Sequence, residues 1–194
     1  MGFEITDGTG TGNSVRVSPK KRMLVEAITT NSISSSSQDG GNAFSVGTEG
    51  IVGATLADGA ESALFYAKNN DDRNLIVDVC VVSQEQAGYY KFYRNPTSGT
   101  LIDNGITSGA SQSFNFGSSS IATLDSRIAN ASGQTFTDGT VITYSRNPAG
   151  VQPLDFLSAV VIPKGSSFGI SFTPDGATAS DVSVFFFVHY PEEK

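Results

Sequence analysis

The chain has 194 residues, of which 38% are apolar, 16% charged and 21 are glycine; there are 13 Phe, 6 Tyr and no Trp. That length fits one domain with a sizeable core, and a low charge content with many turn formers points to an all-β protein. The formal net charge is −7, and Lys20, Lys21 and Arg22 form the only basic run, which speaks against nucleic-acid binding, where clustered Lys and Arg meet phosphate.

In chain order, residues 1–21 read as an arm. "MGFEITDGTGTG" is polar and Gly-rich, without the basic-then-apolar order of a signal peptide. "MGFEIT" formally fits a myristoylation pattern, weakened by Glu4 and by the lack of a second anchor. "GTGTG" lacks the Lys-Ser/Thr end of a phosphate loop. The domain proper is expected over 22–194. Strand signals follow at 22–30, at 43–56 as one or two short strands, and at 61–69, 75–83 and 88–95. In 75–83, strict alternation puts Leu75, Val77, Val79 and Val81 on one face and Ile76, Asp78, Cys80 and Val82 on the other. The stretch 97–139 is irregular, but Ile121, Leu124 and Ile128 fall at helical spacing behind serines and predict a short helix. Strands resume at 140–147, 155–163, 166–174 and 181–191, with "PKGSS" predicting a hairpin turn. Val182, Val184, Phe186, Val188 and Tyr190 share one face of the last strand; Phe185, Phe187 and His189 share the other. About eight strands at these spacings predict a single β-sandwich of jelly-roll type.

Few residues carry chemistry. The single His, His189, sits in a strand pattern, and one His with one Cys excludes the usual zinc sites. Cys80 reads as a small buried apolar residue and leaves no intramolecular disulfide. Acidic turns at 39–42 and 69–73 supply oxygens of the kind calcium takes, without an EF-hand pattern. Asp78 and Glu26 are mid-strand acids of the type a glycosidase pairs across a cleft, but no Trp is present to stack on sugar. No apolar run approaches the roughly 20 residues of a membrane-spanning helix. The expectation is therefore a non-enzymatic protein without cofactor or metal, whose two-faced aromatic strands are covered by other protein. "RNP" occurs twice, in "FYRNPTSGTLI" and "YSRNPAGVQPL". It reads as punctuation: Asn95 and Asn147 run extended into Pro96 and Pro148, and a Gly then reverses the chain. Arg94 and Arg146 would then stand on one rim as contacts for an acidic neighbour.

The layout as a whole, including "NLIVDVCVVSQEQAGYYKFYRNPTSGTLI", "NFGSS", "VVIPKGSSFGISFTP" and "DVSVFFFVHYPEE", resembles the small jelly-roll structural proteins of tailed-bacteriophage virions, of the capsid decoration or cement type. The resemblance implies a particle component, often trimeric, that sits on the outside of the capsid lattice and braces it by binding the major capsid protein or other virion proteins. It implies that residues 1–21 reach to neighbouring subunits, with Lys20, Lys21 and Arg22 at the root. A tail, baseplate or host-recognition component of such a particle is the alternative, and a carbohydrate-binding or carbohydrate-active jelly roll a third reading.

Overall fold

The computed structural model describes residues 41–48, 52–54, 60–102, 112–117, 119–129, 131–176 and 180–191. The arm, its basic root, Glu26, the strand expected at 22–30 and most of the early loop lie outside the described residues. Eleven strands run in chain order as β1 (Ala43–Gly47), β2 (Val52–Ala54), β3 (Ser62–Asn69), β4 (Leu75–Gln84), β5 (Gly88–Arg94), β6 (Gln112–Ser113), β7 (Leu124–Ile128), β8 (Thr140–Asn147), β9 (Gly150–Ile162), β10 (Ser167–Pro174) and β11 (Ser180–His189).

One sheet has the order β6-β1-β11-β4-β9, with β2 also on β11; the other has the order β7-β3-β10-β5-β8. Every pairing is antiparallel. Apart from the short β2, β6 and β7, successive strands change sheet at each step except from β5 to β8, which pair. The chain's last two described strands then occupy the middle of both sheets. This is the jelly-roll winding. The turn 163–166 therefore does not close a hairpin: β9 and β10 lie in different sheets. Its i-to-i+3 hydrogen bond, Ser166 N to the Pro163 carbonyl at 3.0 Å, and the positive φ of Gly165 reverse the chain between sheets instead.

The core fills the space between the two inner faces. β10 contributes Phe168, Ile170 and Phe172; β5 gives Tyr90 and Phe92; β11 gives Val182, Val184, Phe186 and Val188, and Tyr190 follows just beyond its end, all buried as their alternation predicts. Each fully buried Phe or Leu stabilises by about 1.5–3 kcal/mol relative to exposure.

β4 departs from strict alternation. Against β9 the pairs are Val77 with Val160 and Val79 with Asp155, so there β9 is the longer side; against β11, Val77 pairs with Val188 and Val79 with Phe187, and Asp78 is the extra residue between them. This β-bulge shifts the phase by one residue, so the buried set is Leu75, Val77, Cys80 and Val82, not one unbroken every-second-residue face. Cys80 is buried as expected, and burial pushes its thiol pKa well up, which keeps it protonated.

The expected helix is a strand. Among the described residues there is no helix, and Leu124–Ile128 forms β7 on the free edge of β3, from Phe65 opposite Ile128 to Asn69 opposite Leu124. Leu124 and Ile128 pack on the core on either side of a buried Ser126, so a polar residue at the middle inward position hid the period of two. Pairing also satisfies the open backbone groups of β3, which a helix at this place would leave bare.

Two other described parts of the β5–β8 connection, 97–101 and 129–137, strap the outer face of the second sheet. Thr97 bridges Thr137, and Ala63 N donates to the Gln134 carbonyl at 2.7 Å. Leu101, Ala129 and Phe136 form a satellite cluster with Ala63 and Tyr66. The Phe136 ring lies on Gly169, where an added Cβ would come within 2.6 Å of it. That close approach explains a glycine in the middle of a buried strand.

Candidate functional site

Four places bring polar or exposed apolar groups together, and each follows from the winding just described. The first is the bulge in β4. It turns Asp78 to the outer face of its sheet, where its Oδ2 lies 2.8 Å from His189 Nδ1 on the neighbouring β11. The imidazole is buried, and its Nε2 is buried without a partner in the described structure. His189 is thus half satisfied rather than fully so, and Asp78, considered as a sugar-cleaving acid, is held by a histidine.

The second is Glu61, at the start of β3 on the strapped face. Ser171 Oγ donates to it at 2.5 Å, and Lys91 Nζ and Tyr93 OH donate as well. Burial alone would raise the Glu61 pKa, but these three donors outweigh burial and hold it below the usual 4.5. Burial and the bond to this carboxylate push Tyr93 up to about 12. The cluster floors a cleft of about 210 Å³ roofed by Gln134, Thr135 and Phe136. A carboxylate whose folded pKa is lowered adds stability that is present above its unfolded value and lost as pH falls through the folded one. The protein is therefore expected to lose thermal stability as pH falls below about 4.5, and Glu61→Gln should flatten that part of a melting-temperature profile while lowering stability at pH 7. An unchanged acid limb in the variant would show that other carboxylates govern it.

The third is the 69–73 turn, a calcium candidate by sequence. Its oxygens are already engaged. The guanidinium of Arg73 donates to both oxygens of Asp71, at 2.9 and 3.1 Å, and this holds the Asp71 pKa down. Asp71 N donates to Asn69 Oδ1, and Lys164 pairs with Asp72. No group of three or more His, Cys, Asp or Glu side chains fit for a metal occurs among the described residues.

The fourth is the edge formed by β8 and β9, the last strands of their sheets. Six of the eight β8 residues are exposed, with Tyr144 at 71% and Ile142 at 51%. Val151 and Val161 of β9 are exposed too, and Val161 lines a pocket together with Ile142. Val141, Tyr144 and Arg146 pair with Tyr93, Lys91 and Tyr89 and so share the outer face of β8, while Ile142 is the extra residue of a bulge against β5.

The two RNP arginines do not share a rim. Arg94 pairs with Thr140 and Arg146 with Tyr89, so they stand at opposite ends of the antiparallel β5–β8 pair. Arg146 binds Asp175 at 2.6 Å and lies 5.9 Å above the Tyr89 ring. Arg94 pairs with Phe168 on β10 and follows Tyr90 and Phe92 in the alternation, so it projects from the inward face. Its guanidinium has no hydrogen-bond or ion-pair partner among the described residues. The turns differ too. Asn147 ends β8 and is followed by Pro148, whose carbonyl accepts from Gln84 Nε2. Asn95 is not extended: its φ is 50°, and it stays there because its backbone N donates to the Ser167 carbonyl at 2.8 Å and its Oδ1 accepts from Ser167 N at 3.2 Å. Lys20, Lys21 and Arg22 lie outside the described residues, so no geometry joins them to this edge.

Sequence reasoning missed the Glu61 cluster because its members come from three strands whose order the sequence does not state. It missed the open edge because "TVITYSRN" reads equally well as a covered strand. Comparison with family models, curated proteins and solved structures finds no match for the chain.

Proposed function

We propose that this β-sandwich is a non-enzymatic structural protein of a tailed-phage particle, a capsid decoration protein that binds the outer lattice and braces it. The observation that carries the reading is the β8–β9 edge: two terminal strands, one from each sheet, that line a common pocket, with Val141, Ile142, Tyr144, Val151 and Val161 open to solvent. An unpaired strand edge bearing apolar side chains is what a sheet offers to another protein chain. The polar clusters support the same reading, since Glu61 is held by three donors and the lone His is buried against Asp78. The location on the capsid and a trimeric state rest on the resemblance in the sequence.

Two measurements test this. Purified particles should carry the protein in numbers on the scale of the capsid lattice; a handful of copies would overturn the decoration role in favour of a tail, baseplate or host-recognition part. The double variant Val141→Lys with Tyr144→Lys should fold normally, because both side chains are exposed, yet fail to occupy particles that lack the wild-type protein. Full occupancy by that variant would remove the edge from the interface.

A further inference from the structure

Between the open edge and the core lies a pocket of about 440 Å³. Ile142 of β8, Val160 and Ile162 of β9 and Phe168 of β10 make its apolar wall, with Arg94 and Ser167 at the polar side. The volume lies in the range of small-ligand sites, roughly 300–1,000 Å³, which pair apolar walls with a few placed polar groups.

The polar groups here are unequal. Ser167 donates its hydroxyl to the Pro96 carbonyl at 2.6 Å, and its amide donates to Asn95 Oδ1, so both are engaged within the turn. Arg94 is different. It stands on the inward side of its strand, in register with Phe168, where the sandwich core normally places apolar side chains. Its guanidinium is without an anionic partner among the described residues. A planar cation of this kind binds carboxylates through two parallel hydrogen bonds.

The geometry points to a binding site for a small amphiphile with an apolar body and a carboxylate head, the body lying on Val160, Ile162 and Phe168 and the head on Arg94. This assignment is independent of the particle role proposed above. The size of the pocket suits a small molecule rather than a folded partner.

Decanoate is the probe. Titrated into the full chain and followed by calorimetry or by amide chemical shifts, it should bind saturably and shift the amides of Arg94, Ile142 and Phe168. Decanol, with the same chain and no charge, should bind about tenfold more weakly, and Arg94→Ala should weaken decanoate by a similar factor while leaving decanol unchanged. Arg94 is exposed, so that variant is expected to fold. A second variant, Ile142→Trp, fills the lip of the pocket from an exposed position and should abolish binding of both probes without lowering the melting temperature. The assignment is overturned if decanoate and decanol bind equally, if Arg94→Ala leaves decanoate affinity unchanged, or if decanoate shows no saturable binding.

Discussion

Phe186→Ala should lower the stability of the domain by about 3–5 kcal/mol, the range for removing a large aromatic side chain from a closed core. Phe186 sits midway along β11, the central strand of its sheet, opposite Val46 on one side and Cys80 on the other. Its ring meets Phe65 at 5.3 Å and Phe168 edge-on at 5.0 Å, and both of those belong to the facing sheet. The cavity left by alanine is thus walled by strands that are themselves paired on both sides, which limits collapse. Phe186→Leu keeps much of the volume and should cost about 1–2 kcal/mol. Urea denaturation would check both as a fall in midpoint at unchanged slope. A loss below about 1 kcal/mol for alanine would mean that the two sheets close the gap, contrary to the packing described.

Asn69→Ala should be nearly as severe, for a different reason. Asn69 is fully buried at the end of β3, and its side chain makes four hydrogen bonds. Nδ2 donates to the carbonyls of Arg73 at 2.8 Å and Ile162 at 2.9 Å; Oδ1 accepts from Asp71 N at 3.0 Å and from Tyr190 OH at 3.2 Å. One amide thus ties β3 of one sheet to the ends of β9 and β11 of the other. Alanine strands the buried Tyr190 hydroxyl and the Ile162 carbonyl, at about 1–3 kcal/mol for each unsatisfied group, or on the order of 3 kcal/mol in all. Asn69→Asp keeps the acceptors but sets a carboxylate against two carbonyl oxygens, and should not rescue. Tyr190→Phe leaves the two carbonyl bonds of Asn69 in place and should cost less than either. Equal stability of Asn69→Asp and wild type in chemical denaturation would show that the two carbonyls do not depend on this amide.

Most of the strands were legible in the sequence because they obey one local rule. The stretches 88–95, 166–174 and 181–191 alternate cleanly, and their inward residues are the buried ones. The rule failed where a local feature broke the period. Asp78 adds one residue to β4 and reverses the phase of everything after it. Ser126 occupies an inward position in β7 and made a strand look like a helix. β9 begins at Gly150 rather than near 155 and runs through Pro153, because this is an edge strand, where proline is tolerated. Strand order was not legible at all, since it depends on contacts between segments far apart in the chain. The candidate sites shared that fate. Arg94 and Arg146 were noticed for their repeated context, but only the antiparallel register of β5 and β8 separates them, and only the alternation from Tyr90 and Phe92 turns Arg94 inward.

The central positions of β10 and β11 have a consequence for how the protein is made. On a ribosome, β1, β3, β4, β5, β8 and β9 all emerge first, yet β1 and β4 have no partner between them until β11 appears, and β3 and β5 wait in the same way for β10. The second sheet cannot close until β10 has left the exit tunnel, nor the first until β11 has. During that interval two half-sheets present open edges and unsheltered aromatic side chains, the condition under which nascent chains aggregate or engage chaperones. Folding of this domain therefore waits on the arrival of β10 and β11 rather than on the strands made before them, and a chain cut shortly before Ser180 would lack the centre of the first sheet.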